Sequence, residues 1–494
     1  MTVKTQLVKV HNIDNVAVAT RLIEANTEIP EFGIIANQTI PSGHKIALKN
    51  INAGLAVTKY GFQIGEATHN INAGDHVHSH NTKTTLKGGE QYNYTPASTS
   101  EEITPLPLEF MGYRRENGKV GIRNEVWIIN TVGCVNRTAE RIAKECERRF
   151  EKECDGFRAF THPFGCSQLG DDLDDTRTIL ASLASHPNAG AVLIVGLGCE
   201  NNQLSKLLPH VDKPDNRIRF YNAQEVSDEI EQGVQAVYDL LKIIAYDKRE
   251  AINAKELVLG MKCGGSDAFS GITANPTVGR VTDLMCRLGG SVILTETPEM
   301  FGAEQLLMNR AKDEAVFESF KSLIEEFKDY FIKHNQPIYE NPSPGNKAGG
   351  LTTLEEKSLG AVQKGGSATI QSILQYGEPK KDKGLSLLQA PGNDAVSSTA
   401  LAASGAHIVL FTTGRGTPLG FPVPTIKISS NSDIANKKPH WIDFNAGEVL
   451  EGKSIDKCAK ALLQECLSVA SGKQTCNEKN GSHDIAIWKR GVTL

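Results

Sequence analysis

The sequence predicts an α/β protein: a small β-rich module at the N-terminus, followed by two α/β domains with mostly parallel sheets. Short apolar runs repeatedly end at a glycine and precede a helical pattern, which is typical of buried parallel strands. Residues 1–93 instead repeat a turn followed by a short strand. At 494 residues the chain is also too long for a single hydrophobic core.

Composition and charge exclude several classes of function. The chain is 39% hydrophobic and 22% charged, with a net charge of −5, so it lacks the basic character of a nucleic-acid-binding protein. No apolar run approaches the length of a membrane span, and the first residues lack the apolar segment of a signal peptide. We expect a cytoplasmic protein with no nucleic-acid or membrane partner. Its ten cysteines show no CxxC spacing, which favours reduced thiols, some with metal or catalytic roles, over disulfides.

In the N-terminal module, a turn containing glycine leads into a short strand three times, at residues 40–46, 51–57 and 71–77. His76, His78 and His80 follow the last turn at every second position, so a strand would place them on one face. Because neutral imidazole is a common metal ligand, His78 and His80 are candidate metal ligands. The alternative is a row of exposed histidines on an edge strand.

Residues 94–110, which are rich in proline, are predicted to form an exposed linker. In the first α/β domain, residues 111–250, we expect strands at 126–132 and 191–196 and helices at 137–150, 171–185 and 223–246. The second domain, residues 251–494, should begin with a strand at 256–263. It continues with a helix at 276–288, a strand at 291–295, a helical region at 302–334, strands at 384–388 and 407–411, and a helix at 456–470. This alternation indicates right-handed crossovers between parallel strands.

Three cysteines, Cys166, Cys199 and Cys263, each stand beside a glycine at the end of a predicted strand. Ligands of open α/β sheets bind outside the carboxyl ends of the strands. We therefore expect the three thiols to converge on one metal or one substrate. The alternative for each is packing, since free cysteine behaves as a small buried hydrophobic residue.

Polar residues follow other predicted strands. Asp267 follows Cys263, Asn393 follows a strand that ends near residue 389, and Arg415 lies between two glycines. A glycine-flanked arginine can bind a carboxylate through two parallel hydrogen bonds, although a surface arginine is usually only solvated. No glycine-rich stretch has the spacing of a P-loop or of GxGxxG between a strand and a helix, so nothing indicates nucleotide binding.

Several long strings resemble the galactarate dehydratase/altronate hydrolase family: GHKIAL at 43–48, HSHN at 78–81, GLGCENN at 196–202, KCGGSDAFSGITANP at 262–276 and FTTGRGTP at 411–418. The resemblance implies an N-terminal β-clip module of the SAF type and two Rossmann-like α/β domains. It also implies a hydro-lyase of hexuronate catabolism that dehydrates D-altronate to 2-dehydro-3-deoxy-D-gluconate with Fe²⁺ or Mn²⁺. The substrate would be a small sugar acid, and the enzyme a homo-oligomer.

The resemblance leaves three alternatives open. The acid dehydrated could be galactarate, the activity could be that of a sulfo-acid lyase of the same family, or the chain could be a non-catalytic sugar-acid-binding protein. Galactarate dehydratases lack the pair His78 and His80, so these residues could serve the substrate end that differs between the two acids.

For this reaction, a proton must leave the carbon next to the carboxylate and hydroxide must leave the following carbon. A metal could act as Lewis acid, while Arg415 and Lys427 hold the carboxylate. His44 or His162 is the expected base, with Lys45 as an electrostatic partner. His162 could equally be a core histidine bonded to a main-chain carbonyl.

Asp267 and Asn393 are the other expected substrate-binding residues. Cys166, Cys199 and Cys263 would hold the metal, with His78 and His80 as the alternative ligands. Three thiolates suit either Fe²⁺ with an open coordination position or a [4Fe–4S] cluster with one iron free of protein ligands.

Overall fold

The computed structural model describes residues 6–87, 89–97 and 108–494. The N-terminal module consists of short strands in small antiparallel sheets, ordered β1-β2-β5-β8 and β6-β7-β9 beside a β3-β4 pair. The strands are β1 (Leu7–Val8), β2 (Val16–Ala19), β3 (Glu28–Ile29), β4 (Ile34–Ile35), β5 (Lys45–Ala47), β6 (Ala56–Lys59), β7 (Phe62–Ala67), β8 (His76–Val77) and β9 (Thr82–Lys83). The predicted β-rich module is confirmed.

The turns of this module depend on glycine. Gly74 has a φ of +90°, and a Cβ placed on it would lie 2.0 Å from the carbonyl oxygen of Ile35. Only glycine therefore fits the turn that precedes β8.

The second domain of the chain, which is the first of the two predicted α/β domains, is built on a parallel sheet ordered β13-β12-β14-β15. Its core strands β12 and β14 are buried along their whole length, because helices cover both faces of the sheet. The elements are β10 (Glu109–Arg114), β11 (Val120–Gly121), β12 (Glu125–Asn130), α1 (Asn136–Arg149), β13 (Phe157–Phe160), α2 (Gly170–Ala184), β14 (Ala189–Gly196), α3 (Leu204–Leu207), β15 (Ile218–Asn222), α4 (Glu229–Ile244) and β16 (Arg249–Asn253).

The two ends of this domain are held together. The entering strand β10 pairs with the leaving strand β16, and β11 completes this antiparallel sheet.

The C-terminal domain contains a seven-stranded parallel sheet ordered β19-β20-β18-β17-β21-β22-β23. Its elements are β17 (Val258–Cys263), α5 (Ala274–Arg287), β18 (Ser291–Leu294), α6 (Glu304–Met308), α7 (Glu314–Lys333), α8 (Pro344–Ala348), α9 (Leu354–Ala361), β19 (Ile370–Leu374), β20 (Gly384–Leu388), α10 (Asp394–Ala403), β21 (Ile408–Thr413), β22 (Thr425–Ser429), α11 (Ser432–Lys437), β23 (Phe444–Asn445), α12 (Ile455–Ala470) and α13 (Cys476–Lys479). The predicted α/β architecture with parallel sheets is confirmed.

Several boundaries differ from those predicted, and caps explain two of them. α4 begins at Glu229 rather than at residue 223, because the Asp228 side chain accepts hydrogen bonds from the first-turn amides. The loop at 341–350 contains α8, which Ser343 and Asn346 start with a reciprocal capping box.

Part of the predicted linker packs on the C-terminal domain. The Tyr94 hydroxyl donates to the carbonyl of Ala311 at 3.0 Å, and the amide of Ala97 donates to the carbonyl of Asn309 at 2.7 Å. Residues 98–107 of that linker lie outside the described residues. Within the described part of the chain, no helix is both long enough and apolar enough to span a membrane.

Candidate active site

The short helix α8 and the loop after it lie between the N-terminal module and the carboxyl edge of the seven-stranded sheet. The Asn346 side chain donates to the carbonyl of Ser266 at 2.8 Å, which ties α8 to the loop after β17. On the other side, the Ala348 carbonyl lies 3.4 Å from Nε2 of His44 in the module. Side chains from both parts of the protein therefore meet around α8.

Four side chains of the module form a histidine cluster: His44, His76, His78 and His80. Nδ1 of His44 lies 3.0 Å from Nε2 of His76. The His78 ring centroid lies 4.8 Å from that of His44, and the His80 ring 5.2 Å from that of His76. The predicted strand carrying three histidines ends at Val77, so His78 and His80 reach the cluster from a turn.

Three rings of the histidine cluster, those of His44, His76 and His78, favour the neutral imidazole. Burial, together with the neighbouring histidines and Lys45, lowers the pKa of His76 to about 3 and that of His78 to about 4. Burial also lowers the pKa of His44. These rings are therefore unprotonated at neutral pH and can offer lone pairs to a cation.

Behind the histidine cluster, the module is joined to α9 by a buried group of charges. Glu356 accepts from Nζ of Lys45 and from Nζ of Lys59, each at 2.8 Å, and all three side chains are at most 1% exposed. Burial alone raises the pKa of Glu356, but the two ammonium groups outweigh it and lower the pKa to about 2. Lys45 donates to Glu356, to Thr352 and to the Gly350 carbonyl, and its charge also contributes to the lowered pKa of His44, for which it was the expected electrostatic partner.

Asp267 and Arg415 lie at the carboxyl edge of the sheet, close to α8. Burial raises the pKa of Asp267, while donors that include Ser430 and Asn431 stabilise its carboxylate. A Cβ at Gly414 would lie 2.2–2.6 Å from the Asp267 carboxyl atoms, so glycine is required there. The exposed Arg415 donates to the Gly345 carbonyl of α8 at 3.2 Å.

Deeper at the same edge lies the Cys263 cluster, consisting of Cys263, Glu296, Glu299, Lys357 and Lys364. The Cys263 thiol donates to Glu299 at 3.0 Å, and Nζ of Lys364 donates to the Cys263 sulfur at 2.9 Å. Lys357 donates to Glu299 at 2.8 Å. Burial and the two carboxylates raise the pKa of Cys263. Cys263, Glu296 and Glu299 offer ligand atoms that all lie within 4.8 Å of one another.

A third buried lysine extends this charge network. Nζ of Lys262 lies 2.7 Å from Asp394 and 3.0 Å from Glu296. A Cβ at Gly264 would lie 2.6 Å from Asp394, so the chain after β17 must carry glycine to pass this carboxylate.

Comparison with known proteins gives matches along the whole chain. Family models match residues 5–85 (Altronate/galactarate dehydratase SAF domain), 112–245 (D-galactarate dehydratase/Altronate hydrolase, second domain) and 254–493 (D-galactarate/Altronate dehydratase, C-terminal). Altronate dehydratase of Escherichia coli (strain K12) is 50% identical over 498 residues, covering 99% of this chain and 100% of that protein. The chain belongs to the D-galactarate/altronate dehydratase family.

Two further relatives place the chain within this family. Altronate dehydratase of Bacillus subtilis (strain 168) is 48% identical, covering 99% of both chains. Galactarate dehydratase (L-threo-forming) of Escherichia coli (strain K12) is 36% identical, covering 97% of this chain and 96% of that one.

In this D-galactarate/altronate dehydratase family member, the structure does not bring the three predicted cysteine ligands together. Cys263 is buried at the edge of the seven-stranded sheet, whereas Cys166 and Cys199 are exposed at the edge of the second domain's sheet. All three do follow the carboxyl ends of strands, but of two different sheets.

His162 and Asn393 have structural contacts. Nε2 of His162 lies 2.8 Å from the Asn130 carbonyl, and its Nδ1 accepts from the amide of Phe164 at 3.2 Å. This is the main-chain bonding that the alternative interpretation of His162 described. Asn393 caps α10 by accepting from the amides of Ala395 and Val396.

Lys427 lies in the middle of β22 and is 1% exposed. Burial lowers its pKa to about 8, against the opposing effect of the neighbouring Asp443 carboxylate. It therefore lies apart from the side chains that contact α8.

The sequence interpretation missed Glu296, Glu299, Lys357 and Lys364, and it named His76 in the histidine row without proposing it as a ligand. Glu296 and Glu299 follow the carboxyl end of β18, so the rule that predicted Cys263 could have found them. Glu296 also has a left-handed backbone, with φ of +73°. Lys357 and Lys364 lie beyond α8 and reach the Cys263 cluster only through the fold, without a local signal.

Proposed function

We propose that this protein is a hydro-lyase that dehydrates D-altronate to 2-dehydro-3-deoxy-D-gluconate and water. One observation carries the proposal. Over almost its full length the chain is 50% and 48% identical to two altronate dehydratases, but only 36% identical to a galactarate dehydratase. The geometry around α8 supplies groups that suit a sugar acid.

Arg415 would bind the substrate carboxylate. It is exposed at the carboxyl edge and uses one guanidinium N–H for the Gly345 carbonyl. The guanidinium carries five donors, and a pair of them matches a carboxylate. Positive charge at this position also stabilises the carboxylate as negative charge develops on it during proton removal.

The histidine cluster fits a divalent metal. Nδ1 of His44 and Nε2 of His76 lie 3.0 Å apart, which is the separation of neighbouring ligands at right angles around a metal with bonds of about 2.1 Å. Nε2 of His44 faces the Ala348 carbonyl, and Nδ1 of His78 lies 3.2 Å from the Thr352 hydroxyl. Such second contacts are those that orient metal-bound imidazoles.

The Cys263 cluster fits a dication less well. Its sulfur and carboxylates already contact the ammonium groups of Lys357 and Lys364. Adding two positive charges beside buried lysines is electrostatically unfavourable. We therefore propose His44 and His76, whose facing ring nitrogens lie 3.0 Å apart, as ligands of Fe²⁺ or Mn²⁺, with His78 completing the set after a side-chain rotation that brings its nitrogen closer to theirs. Bound there, the metal would supply Lewis-acid stabilisation of oxygen anions.

In this proposal His44 is a metal ligand rather than the expected base. The two substrate-binding elements would both lie along α8, since Arg415 contacts the Gly345 carbonyl and His44 approaches the Ala348 carbonyl. These two carbonyls lie three positions apart in the same short helix, so Arg415 and His44 approach neighbouring parts of α8.

The test compares His76→Ala with Cys263→Ser. Protein purified without oxygen is treated with a chelator and loaded with Mn²⁺, its manganese content is measured, and formation of a 2-keto-3-deoxy acid is followed with altronate and with galactarate. We expect altronate to react, and His76→Ala to lose the metal while Cys263→Ser retains it. Product from galactarate alone would overturn the proposed substrate. Loss of metal in Cys263→Ser with retention in His76→Ala would overturn the proposed ligands.

A further inference from the structure

Three exposed cysteines lie at the carboxyl edge of the second domain's sheet, outside the site around α8. Cys134 follows β12, Cys166 follows β13 and Cys199 follows β14. These strands are neighbours in the order β13-β12-β14. The other seven of the ten cysteines are buried or half-buried, so the exposed thiols of the chain are grouped at one edge.

Hydrogen bonds join the three cysteine loops directly. The amide of Gly133, next to Cys134, donates to the Phe164 carbonyl at 2.8 Å, and the Asn202 amide donates to the Gly165 carbonyl at 3.0 Å. The amide of Ser167 donates to the Asn201 side chain at 2.9 Å. Each loop is thus bonded to the next within three residues of its thiol.

The loop conformations beside two of the thiols are strictly defined. Gly165 and Gly198 have φ values of +101° and +127°, and Ser167 has a φ of +57°. A non-glycine residue in the left-handed region persists only where the surroundings hold it. A Cβ at Gly165 would lie 2.2 Å from the Thr131 carbonyl oxygen, so the Cys166 loop lies tightly against the chain that leads to Cys134.

Two helix ends contribute partial positive charge at this edge, and the carboxylates of Glu200 and Asp171 act against it. α1 begins two residues after Cys134, and α2 begins four residues after Cys166. The amino end of a helix carries partial positive charge and stabilises anions. The Gln224 amide donates to the Cys199 sulfur at 3.6 Å. A group ligated by three thiolates would be anionic, and the helix ends and the Gln224 side chain would interact favourably with it.

We infer that Cys134, Cys166 and Cys199 ligate a [4Fe–4S] cluster. A single ion needs ligand atoms that lie close together. Among the described residues, the only group of three ligand atoms that all lie within 4.8 Å of one another is that of Cys263, Glu296 and Glu299. A cluster binds each thiolate through a different iron and so spans a wider triangle. The three thiols lose their protons and none is oxidised. The fourth iron receives no cysteine and is accessible to a small oxygen ligand.

The test is reconstitution without oxygen, using equal amounts of ferrous and ferric iron with sulfide, so that no further oxidant is needed. We expect about four irons and four sulfides per chain and the absorption of a cubane cluster. Cys134→Ser, Cys166→Ser and Cys199→Ser should each lose the bound sulfide. The matched control is Cys154→Ser, since Cys154 lies in the same domain but precedes β13, and it should retain the cluster.

A second measurement does not require the variants to fold. In reconstituted wild-type protein, iodoacetamide should spare the three cysteines, and removal of the cluster by a chelator should make all three react. The inference would be overturned if reconstituted wild-type protein bound no more sulfide than a variant with all three cysteines replaced by serine. Loss of sulfide in Cys154→Ser would also overturn it. A disulfide between any two of the three cysteines as the stable state would also overturn it. Acid-labile sulfide is absent from a metal held by the histidine cluster, so this result is separable from the proposed function.

Discussion

At the scale of single residues, Arg415 is the side chain on which substrate affinity should depend. Replacing it by alanine removes a charge-assisted hydrogen-bond partner worth about 1.5–3 kcal/mol. We expect Arg415→Ala to raise KM for altronate by about ten- to a hundredfold, with Arg415→Lys intermediate because lysine cannot bind a carboxylate through a planar pair of donors. The control is Arg114→Ala, an exposed arginine paired with Glu250 in another sheet. An unchanged KM in Arg415→Ala would place the carboxylate elsewhere.

Gly414 tests how closely the chain approaches Asp267. A methyl group there would overlap the Asp267 carboxyl, at 2.2–2.6 Å. We expect Gly414→Ala to destabilise the fold by about 1–3 kcal/mol in chemical denaturation, a typical cost of overpacking. Gly392→Ala is the matched control, because the nearest atom to its new methyl group would lie 3.6 Å away. Equal stability of both variants would show that the Asp267 loop is free to move.

At the scale of elements, Glu356 joins α9 to two strands of the N-terminal module. Glu356→Gln would leave Lys45 and Lys59 as buried cations without their counter-charge. Removing one partner of a buried ion group costs about 3–5 kcal/mol. We expect the module to unfold or detach first, which limited proteolysis near residues 84–97 would detect. The pair of exposed Lys83 and half-buried Glu66 provides a control, since Glu66→Gln should change stability by at most about 1 kcal/mol.

The same carboxylate predicts a pH dependence. The folded-state pKa of Glu356 is about 2, below the ordinary glutamate value of 4.5. A carboxyl group with a lowered pKa stabilises the fold fully above its unfolded pKa and loses this contribution as pH falls towards the folded pKa. We expect the free energy of unfolding to decrease as pH falls from about 4.5 to 2. Glu356→Gln should lack the part of this decrease that protonation of Glu356 causes. Identical slopes in both proteins over this window would contradict the assignment.

The elements were largely predictable because burial of parallel strands is a local pattern. The strands around Val126, Leu193 and Ile408 appear where apolar runs end at glycine or threonine. The sequence did not predict which residues from distant parts of the chain lie together at the ends of those strands. Cys263 and Cys199 end similar runs, yet their strands belong to different sheets. Lys45 and Glu356 are 311 positions apart, and no local pattern links two buried charges at that separation.

At the scale of the whole molecule, metal binding at the histidine cluster should be coupled to folding of the N-terminal module. His44, His76 and His78 come from β5, from β8 and from the turn after β8, and they lie near the Ala348 carbonyl and the Thr352 hydroxyl of the C-terminal domain. A metal held by these rings binds the folded, docked module and not the unfolded one. Metal binding therefore stabilises the folded protein by linkage.

We expect Fe²⁺ or Mn²⁺ to raise the unfolding temperature of the chelator-treated protein. At a free metal concentration one hundred times the dissociation constant, the free energy of unfolding should increase by about 2.7 kcal/mol. His76→Ala should show no such shift, whereas Cys263→Ser should show the full shift, because the Cys263 cluster already balances its charge with buried lysines. The measurement is calorimetry without oxygen, with Mg²⁺ as an ion that binds imidazole poorly. A shift that survives in His76→Ala and disappears in Cys263→Ser would place the metal at the sheet edge instead.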